Sequence, residues 1–449
     1  MTAMAERACR GCSLVLRRER PGYDPRVLPG DGVLAIDGWR PVRTQPLDFA
    51  KGAALLGQAE ADAVTAVVAG RALFRYTRGP TAGAVAGFER ATCDALGTRY
   101  AVAVANGTAA LRCALAALGV GCGDEVVVPA FTFIATVNAV IAAGAVPVFA
   151  EVDDTLGLDC TDLATHVTDR TAAIIAVHLE NVACDLDGVL EVAARHGVPV
   201  IEDAAQAIGA TYRGRAAGTF GALGAFSLHQ EKNITAGEGG IVVTDDETLY
   251  LRATRYQDQG GQFVTSYASG RGDELTEPCA GENLRMGELA GAVARVQLER
   301  LPAILAALRA SKGRILERVG EVAGLVRRRR PDPDGDGSSS ITWFVPEAST
   351  AKRFAAALRA EGVPSAQMYG ARPVYLNPAV IDQRTASGKG GPWACAEHPT
   401  DRTYGEGLCP RTEALVARSV IVPIGVGYTD RDCDDVAAAV RKVARGLLR

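Results

Sequence analysis

The chain has 449 residues, 48% of them hydrophobic, and a formal net charge of −4. This is enough to bury a sizeable core, and two domains are expected. The small acidic charge gives no reason to expect nucleic acid or an anionic membrane as a partner. No uninterrupted apolar run approaches the roughly 18 residues that a membrane span requires.

The cysteine pattern bears on the cellular compartment. The 11 cysteines are scattered without the spacing of a disulfide framework, and no signal peptide precedes them. We therefore expect a cytoplasmic protein with free thiols. Cys9 and Cys12 have the spacing of metal ligands, but no second Cys or His pair follows at a suitable distance, so no metal site is expected.

Residues 1–46 combine Arg, Pro and Gly with weak periodicity and predict an N-terminal extension that partly wraps the body. Helical spacing of apolar residues then predicts a helix from Lys51 to Ala69, and Phe88 and Leu96 mark another.

Short apolar stretches alternate with helical patterns between residues 100 and 245. This alternation is typical of an α/β fold with a largely parallel sheet covered on both faces. Ligands of such sheets bind at the carboxyl ends of the strands. The predicted strands are 100–105, 125–128, 147–150, 172–177, 198–202, 224–228 and 240–244.

The C-terminal third predicts a smaller α/β unit. A long amphipathic helix is expected from Leu289 to Ala323, followed by a strand at Ile341–Val345 and a final helix from Asp430 to Leu448. A polar, Gly- and Pro-rich stretch at about 381–410 predicts a loop-rich insert. We therefore divide the chain into the extension, a large domain (47–310) and a small domain (311–449).

Three residue patterns point to chemistry. Lys232 lies on a loop between two predicted strands, and a lysine amine can condense with an aldehyde such as that of pyridoxal 5′-phosphate (PLP). Asp203 ends a predicted strand and could supply the anion that PLP needs beside its pyridine nitrogen, although it could equally cap a following helix. Gly107 and Thr108 lie in a small-residue turn that opens a helix and could bind a phosphate. Asn106, Asp203 and Ser227 fall at or near the ends of predicted strands, so we expect these motifs to meet at one rim of the sheet.

Together these motifs resemble the DegT/DnrJ/StrS-type family of PLP-dependent aminotransferases of fold type I, which aminate keto sugars and cyclitols. The resemblance runs from about residue 70 to the C-terminus. It implies a large domain with a mostly parallel sheet between helices and a small C-terminal α/β domain. The motifs that carry it are Asn106–Leu111, Gly123–Pro129, Phe131–Phe133, Val177–Leu179, Ile201–Gln206, Phe226–Ser227, Lys232 and Gly237–Gly240.

The resemblance implies a role for each residue of the cofactor site. Lys232 would bind PLP covalently and then act as the base that moves the substrate proton. Asp203 would pair with the pyridine nitrogen, Gln206 would hydrogen-bond the phenolic oxygen, and Phe133 would stack on the ring, with core packing as its alternative. The phosphate would be bound by Gly107, Thr108 and Ser227.

The segment Gly281–Met286 resembles a family segment, Asn-aromatic-Arg-Met, that reaches into the neighbouring subunit's site, with Leu284 in place of the aromatic residue. This implies that Asn283 contacts the partner's phosphate group in a homodimer with shared active sites. Four further residues are candidate substrate contacts, although each could be structural: His178, His229, Arg75 and Tyr76.

Two departures from the family pattern bear on the substrate. Glu180-Asn181 stands where the family usually has a Gly-containing turn, and the extension and the insert around Trp393 are longer than typical. We expect these regions to shape the pocket of the amino acceptor.

The sequence therefore predicts an aminotransferase that moves an amino group from L-glutamate or L-glutamine to a ketone of a sugar, nucleotide sugar or cyclitol in secondary metabolism. One alternative is a PLP enzyme of the same fold with other chemistry, namely dehydration, cyclisation or aromatisation. Dehydratases of the family replace the lysine with histidine, so Lys232 weakens that version. The second alternative is a non-catalytic regulator, which intact Lys232, Asp203 and Gln206 argue against.

Overall fold

The computed structural model of the chain describes residues 33–261, 276–396 and 399–448. Its strands are β1 (Tyr100–Val104), β2 (Glu125–Pro129), β3 (Val146–Ala150), β4 (Thr171–Val177), β5 (Val200–Asp203), β6 (Thr211–Tyr212), β7 (Arg215–Ala216), β8 (Leu223–Ser227), β9 (Gly240–Thr244), β10 (Val326–Arg327), β11 (Ser340–Phe344) and β12 (Ser419–Pro423). Its α-helices are α1 (Gln58–Ala69), α2 (Ala84–Leu96), α3 (Gly107–Ala117), α4 (Ile134–Ala143), α5 (Cys160–His166), α6 (Leu186–His196), α7 (Glu247–Gln257), α8 (Glu288–Val319), α9 (Ala348–Ala360), α10 (Pro378–Ile381), α11 (Pro410–Ala417) and α12 (Asp430–Leu447).

The central feature is a sheet of 7 strands in the order β1-β9-β8-β5-β4-β2-β3. Neighbours from β8 to β3 are parallel, whereas β9 is antiparallel to both β1 and β8. Every residue of β2, β3, β8 and β9 is buried, as expected for apolar strands with helices on both faces. The predicted mostly parallel sheet is confirmed, and each predicted strand lies within a few residues of its expected position.

A second sheet, β10-β11-β12, is antiparallel. Helices α9 and α12 pack together beside it, and α8 runs for 32 residues between this unit and the helices α1 and α2 of the first. The elements of the predicted small unit are therefore present. Since α8 continues through residue 310, the domain boundary there stays a prediction.

The helix predicted from Lys51 to Ala69 is divided. A 3₁₀ turn covers Gly52–Leu55, and α1 begins only at Gln58. Glu60 marks the break, because its carboxylate accepts a hydrogen bond from the Gly57 N–H at 2.9 Å and caps the new helix.

The described part of the extension, residues 33–46, lies against the C-terminal unit. The Glu361 carboxylate at the end of α9 accepts hydrogen bonds from the N–H groups of Ala35 (2.8 Å) and Val42 (2.9 Å). Arg43 forms ion pairs with Asp432 (2.5 Å) and Asp435 (3.1 Å) of α12. The extension therefore wraps the body on this side. Cys9 and Cys12 lie outside the described residues.

The described residues of the insert, 381–396 and 399–410, reach β3, the edge strand of the main sheet. The Tyr404 hydroxyl donates a hydrogen bond to the Pro147 carbonyl (2.9 Å) and accepts one from the Trp393 indole N–H (3.0 Å). Cys395 forms a disulfide with Cys122 at a Cα–Cα distance of 6.1 Å. The expectation that all cysteines are free thiols is therefore wrong for this pair, because folding brings together two residues that are remote in sequence. None of the described helices is long and apolar enough to cross a membrane.

Candidate active site

A cavity of about 750 Å³ opens at the carboxyl ends of β1, β4, β5 and β8. These strands point the same way, so the residues that follow them converge on one rim of the sheet. Eight of the residues selected from the sequence line this cavity: Gly107, Thr108, Phe133, Asp203, Gln206, Ser227, His229 and Lys232.

Lys232 is held on the connection between β8 and β9. Its backbone N–H donates to the His229 carbonyl (2.9 Å), which forms a tight turn and directs the half-buried side chain into the cavity. Burial lowers the pKa of the Lys232 amine below its ordinary value, and the negative charges of Glu180 and Asp203 partly oppose this shift. More of the amine is therefore neutral near pH 7, the form that attacks an aldehyde.

Asp203 ends β5 and is 5% exposed. One carboxylate oxygen accepts the Thr136 hydroxyl of α4 (2.7 Å), and the other accepts the Ala205 N–H (3.1 Å). Burial raises the pKa of Asp203, and these two hydrogen bonds partly oppose that rise. No helix begins in the fully described segment between Asp203 and β8, so helix capping is not its role. A buried carboxylate of this kind needs a cation beside it, and a protonated ring nitrogen would supply one.

The start of α3 forms an anion cradle. Asn106 caps the helix through its side-chain oxygen, which accepts the Ala109 N–H at 2.8 Å. The N–H groups of Gly107 and Thr108 belong to the first turn, where no intrahelical acceptor exists, so they are available to a phosphate. A Cβ added at Gly107 would lie 2.8 Å from the Ser227 Cβ, so this close approach requires glycine.

An aromatic wall closes another side of the cavity. Phe133 is 51% exposed although it lines the cavity, and its ring centroid lies 5.9 Å from that of Tyr369. The Gln206 side-chain NH₂ donates to the Tyr369 hydroxyl (2.7 Å), and its carbonyl accepts the Glu180 N–H (3.1 Å). No sequence motif indicates Tyr369, because it lies in a turn that is distant in the chain from the other residues of the cavity. Its φ of 49°, unusual for a bulky residue, is not readable from composition.

The turn after β4 also reaches the cavity. Glu180 (φ 53°) and Asn181 (φ 61°) both adopt the left-handed conformation without being glycine, and both line the cavity. Strain of this kind costs free energy and is concentrated at functional sites. The predicted departure from a Gly-containing turn therefore lies within the site itself.

Other candidates lie away from this cavity. His178 is fully buried: its Nε2 lies 2.8 Å from the Glu202 carboxylate, and its Nδ1 accepts the Cys184 N–H at 3.2 Å. Both ring nitrogens are therefore occupied by groups of the protein core. The structure thus gives His178 a structural environment rather than the expected substrate contact.

Arg75, Tyr76 and Asn283 are not brought into the cavity either. Arg75 is buried and pairs with Glu89 (2.7 Å), and Tyr76 is 8% exposed. Asn283 is exposed on the segment before α8, and its neighbour Leu284 lines the cavity instead.

The described residues of the two longer regions lie away from this cavity. None of the described residues of the insert (381–396 and 399–410) or of the extension (33–46) lines the cavity. The described insert follows the sheet edge and the described extension follows α9 and α12, so the expectation that these regions shape the acceptor pocket stays a prediction.

The cavity fits PLP on its own geometry. A half-buried lysine, a buried carboxylate, a helix N-terminus and an exposed aromatic ring supply the contacts that its aldehyde, pyridine nitrogen, phosphate and ring face require. With the mostly parallel sheet, this defines the fold-type-I class of PLP-dependent enzymes. The model of the DegT/DnrJ/EryC1/StrS aminotransferase family matches residues 56–441, and the chain belongs to this family.

Characterised relatives include sugar and cyclitol enzymes. The chain is 44% identical over 221 residues to GDP-perosamine synthase of Caulobacter vibrioides, an overlap of 49% of this chain and 57% of that protein. It is 38% identical over 261 residues to L-glutamine:2-deoxy-scyllo-inosose aminotransferase of Streptomyces fradiae, covering 58% of this chain and 60% of that protein. The chain thus matches less than two thirds of the length of either relative.

Solved structures match over more of the chain. That of S. venezuelae DesV has a TM-score of 0.75 and 30% identity, covering 89% of this chain and 99% of that one. DesI, solved in the presence of its TDP-sugar product, has a TM-score of 0.74 and 28% identity. The match covers 92% of this chain and 96% of DesI.

Proposed function

We propose that the protein is a PLP-dependent aminotransferase that moves an amino group from L-glutamate or L-glutamine to a ketone of a sugar, nucleotide sugar or cyclitol in secondary metabolism. The observation that carries the proposal is the convergence of Lys232, Asp203 and the start of α3 on one cavity. The names of the sugar and cyclitol relatives support the acceptor class.

Bound PLP would supply the electron sink, and the chain's residues would do the rest. The neutral Lys232 amine would hold the cofactor covalently and, once released, accept and return the proton at the substrate carbon. Asp203 would keep the ring nitrogen protonated. Phe133 would cover one face of the ring, while Gly107 and Thr108 would bind the phosphate.

We further propose a cytoplasmic homodimer with shared sites. Leu73 and Phe74 are 51% and 44% exposed, and Arg285, two residues after the exposed Asn283, lies over the Phe74 ring at 5.4 Å, so this side of the protein has an exposed apolar surface. Mixing inactive Lys232→Ala and Asn283→Ala proteins tests sharing. Restored activity is expected if Asn283 serves the partner's site, and mixtures that stay inactive would contradict it.

The first test is the absorption spectrum of the protein with PLP, before and after adding L-glutamate or L-glutamine. We expect a visible band in the wild type and its loss on adding a donor. Lys232→Ala should lack the covalent band, whereas Lys352→Ala, which removes an exposed lysine of α9, should retain it. A band that no donor changes would favour other PLP chemistry, and the absence of any band would refute the proposal.

A further inference from the structure

The turn that carries Glu180 is fixed in place. The Asn181 N–H donates to the Gln206 carbonyl (2.8 Å), and the Ser339 hydroxyl donates to the Glu180 carbonyl (3.1 Å). The Asn181 and Asn233 side chains exchange two hydrogen bonds, at 3.0 and 3.2 Å. Because Asn233 directly follows Lys232, these bonds fix the position of Glu180 relative to the lysine.

The Glu180 carboxylate has hydrogen-bond acceptor sites that a ligand could use. It lines the cavity, forms no ion pair with any described residue, and its one hydrogen-bond contact among these residues is long, 3.5 Å from the Ser339 hydroxyl. Among the acidic groups acting on Lys232, Glu180 is the strongest. An ionised carboxylate can accept hydrogen bonds but cannot donate them. Glu180 would therefore accept a hydrogen bond from a ligand that binds beside Lys232.

The cations of the cavity are few. Among the cavity-lining residues that the structure describes, the Lys and Arg side chains are Lys51, Arg112 and Lys232. Arg112 pairs with Glu282, and Lys232 is committed to the cofactor. Among the described residues the Lys51 amine forms one hydrogen bond, to the Glu231 carbonyl (3.3 Å), so it is available for one carboxylate of a ligand.

We infer that Glu180 is a specificity-determining residue that selects L-glutamine over L-glutamate as the amino donor, an inference that rests on the proposed aminotransferase function. Both donors carry an α-carboxylate, which Lys51 can pair. Their side chains differ: the amide of glutamine donates N–H to the Glu180 carboxylate, whereas the γ-carboxylate of glutamate meets a like charge. The name of the Streptomyces fradiae relative, which specifies L-glutamine, agrees with this preference.

The experiment compares both donors on the PLP-loaded protein. The second-order rate constant for loss of the cofactor band should be at least roughly tenfold higher for glutamine than for glutamate. A contact between two like charges about 4 Å apart lowers affinity by about a factor of ten. Glu180→Gln keeps the shape of the side chain and removes its charge, so the ratio should fall to near unity. Glu238→Gln is the matched control. It removes another acidic side chain of the same cavity, one that does not act strongly on Lys232, so this variant should retain the preference for glutamine.

A binding readout separates this inference from the proposed function. Glutaramate and glutarate lack the amino group and cannot react, but they differ by the same amide and carboxylate. The holoprotein should show the larger thermal shift with glutaramate, and Glu180→Gln should remove the difference. Equal use of both donors by the wild type, or a ratio unchanged by Glu180→Gln, would overturn the inference and leave the aminotransferase proposal standing. If neither donor changes the cofactor, the aminotransferase proposal fails, and equal binding of the two probes would still overturn the role of Glu180.

Discussion

Thr136→Val tests whether Asp203 must be kept ionised by the protein. Thr136 is fully buried, and its hydroxyl is one of the two donors to the Asp203 carboxylate, at 2.7 Å. Valine preserves the volume of the side chain and removes the donor. The remaining donor, the Ala205 N–H, lies at the longer distance of 3.1 Å.

The expected size follows from the hydrogen bond. A bond to a charged group contributes about 1.5–3 kcal/mol, and one pKa unit corresponds to about 1.4 kcal/mol. Burial already raises the pKa of Asp203, so the variant should raise it further by about one to two units. Because the folded pKa is raised, the contribution of this group to stability is present at low pH and is lost as the pH rises through that pKa.

The assay is PLP affinity measured as a function of pH. The cofactor's ring proton needs an ionised Asp203, so the pH below which affinity falls should move upward by about one to two units in Thr136→Val. Thr136→Ser keeps the hydroxyl and serves as the control for lost packing. Thr136→Ser should therefore keep the wild-type acid limb. If Thr136→Val also keeps it, the assigned role of this hydrogen bond is wrong.

Three further perturbations have defined outcomes. Gly107→Ala should weaken PLP binding about tenfold or more in a titration, because its Cβ would collide with the end of β8 and overpacking costs about 1–3 kcal/mol; unchanged affinity would contradict the cradle. Cys395→Ser should lower stability by about 2–4 kcal/mol in thermal denaturation without reductant. The exposed thiol variant Cys279→Ser should not, and equal melting of the two would count against a stabilising disulfide. Glu180→Gln should lower the pKa of Lys232, because the negative charge that favours the protonated amine is removed. In a competitive labelling experiment, acylation of Lys232 should then begin at a lower pH than in the wild type. An unchanged dependence of acylation on pH would show that the two charges do not interact.

Much of the sheet could be predicted because local pattern determines it. Residues 126–129 of β2 and residues 172–177 of β4 are apolar, and segments with the apolar spacing of helices lie between the strands. This pattern is typical of strands covered on both faces. Lys232 and Asp203 could be placed together because strand ends of a parallel sheet share one rim.

The rest of the site depends on contacts that no local pattern records. Tyr369 enters the cavity from a turn with a left-handed backbone, and Thr136 lies within an apolar helix, where a lone threonine is unremarkable. The left-handed pair at Glu180 was marked by its departure from a family pattern, but its fixation by Asn233 and Ser339 is visible only in three dimensions. The same applies to the disulfide, which joins positions separated by 273 residues.

The position of the insert has a consequence for solubility. Strand β3 is an edge of the main sheet, and its sequence, Val146–Ala150, is entirely apolar. An uncovered apolar edge presents unpaired backbone groups that recruit strands from other molecules and lead to aggregation. The Tyr404 hydroxyl donates a hydrogen bond to the Pro147 carbonyl of this strand, and the disulfide between Cys395 and Cys122 holds the covering segment in place. The described residues of the insert therefore cover part of the edge at which a strand of another copy would pair.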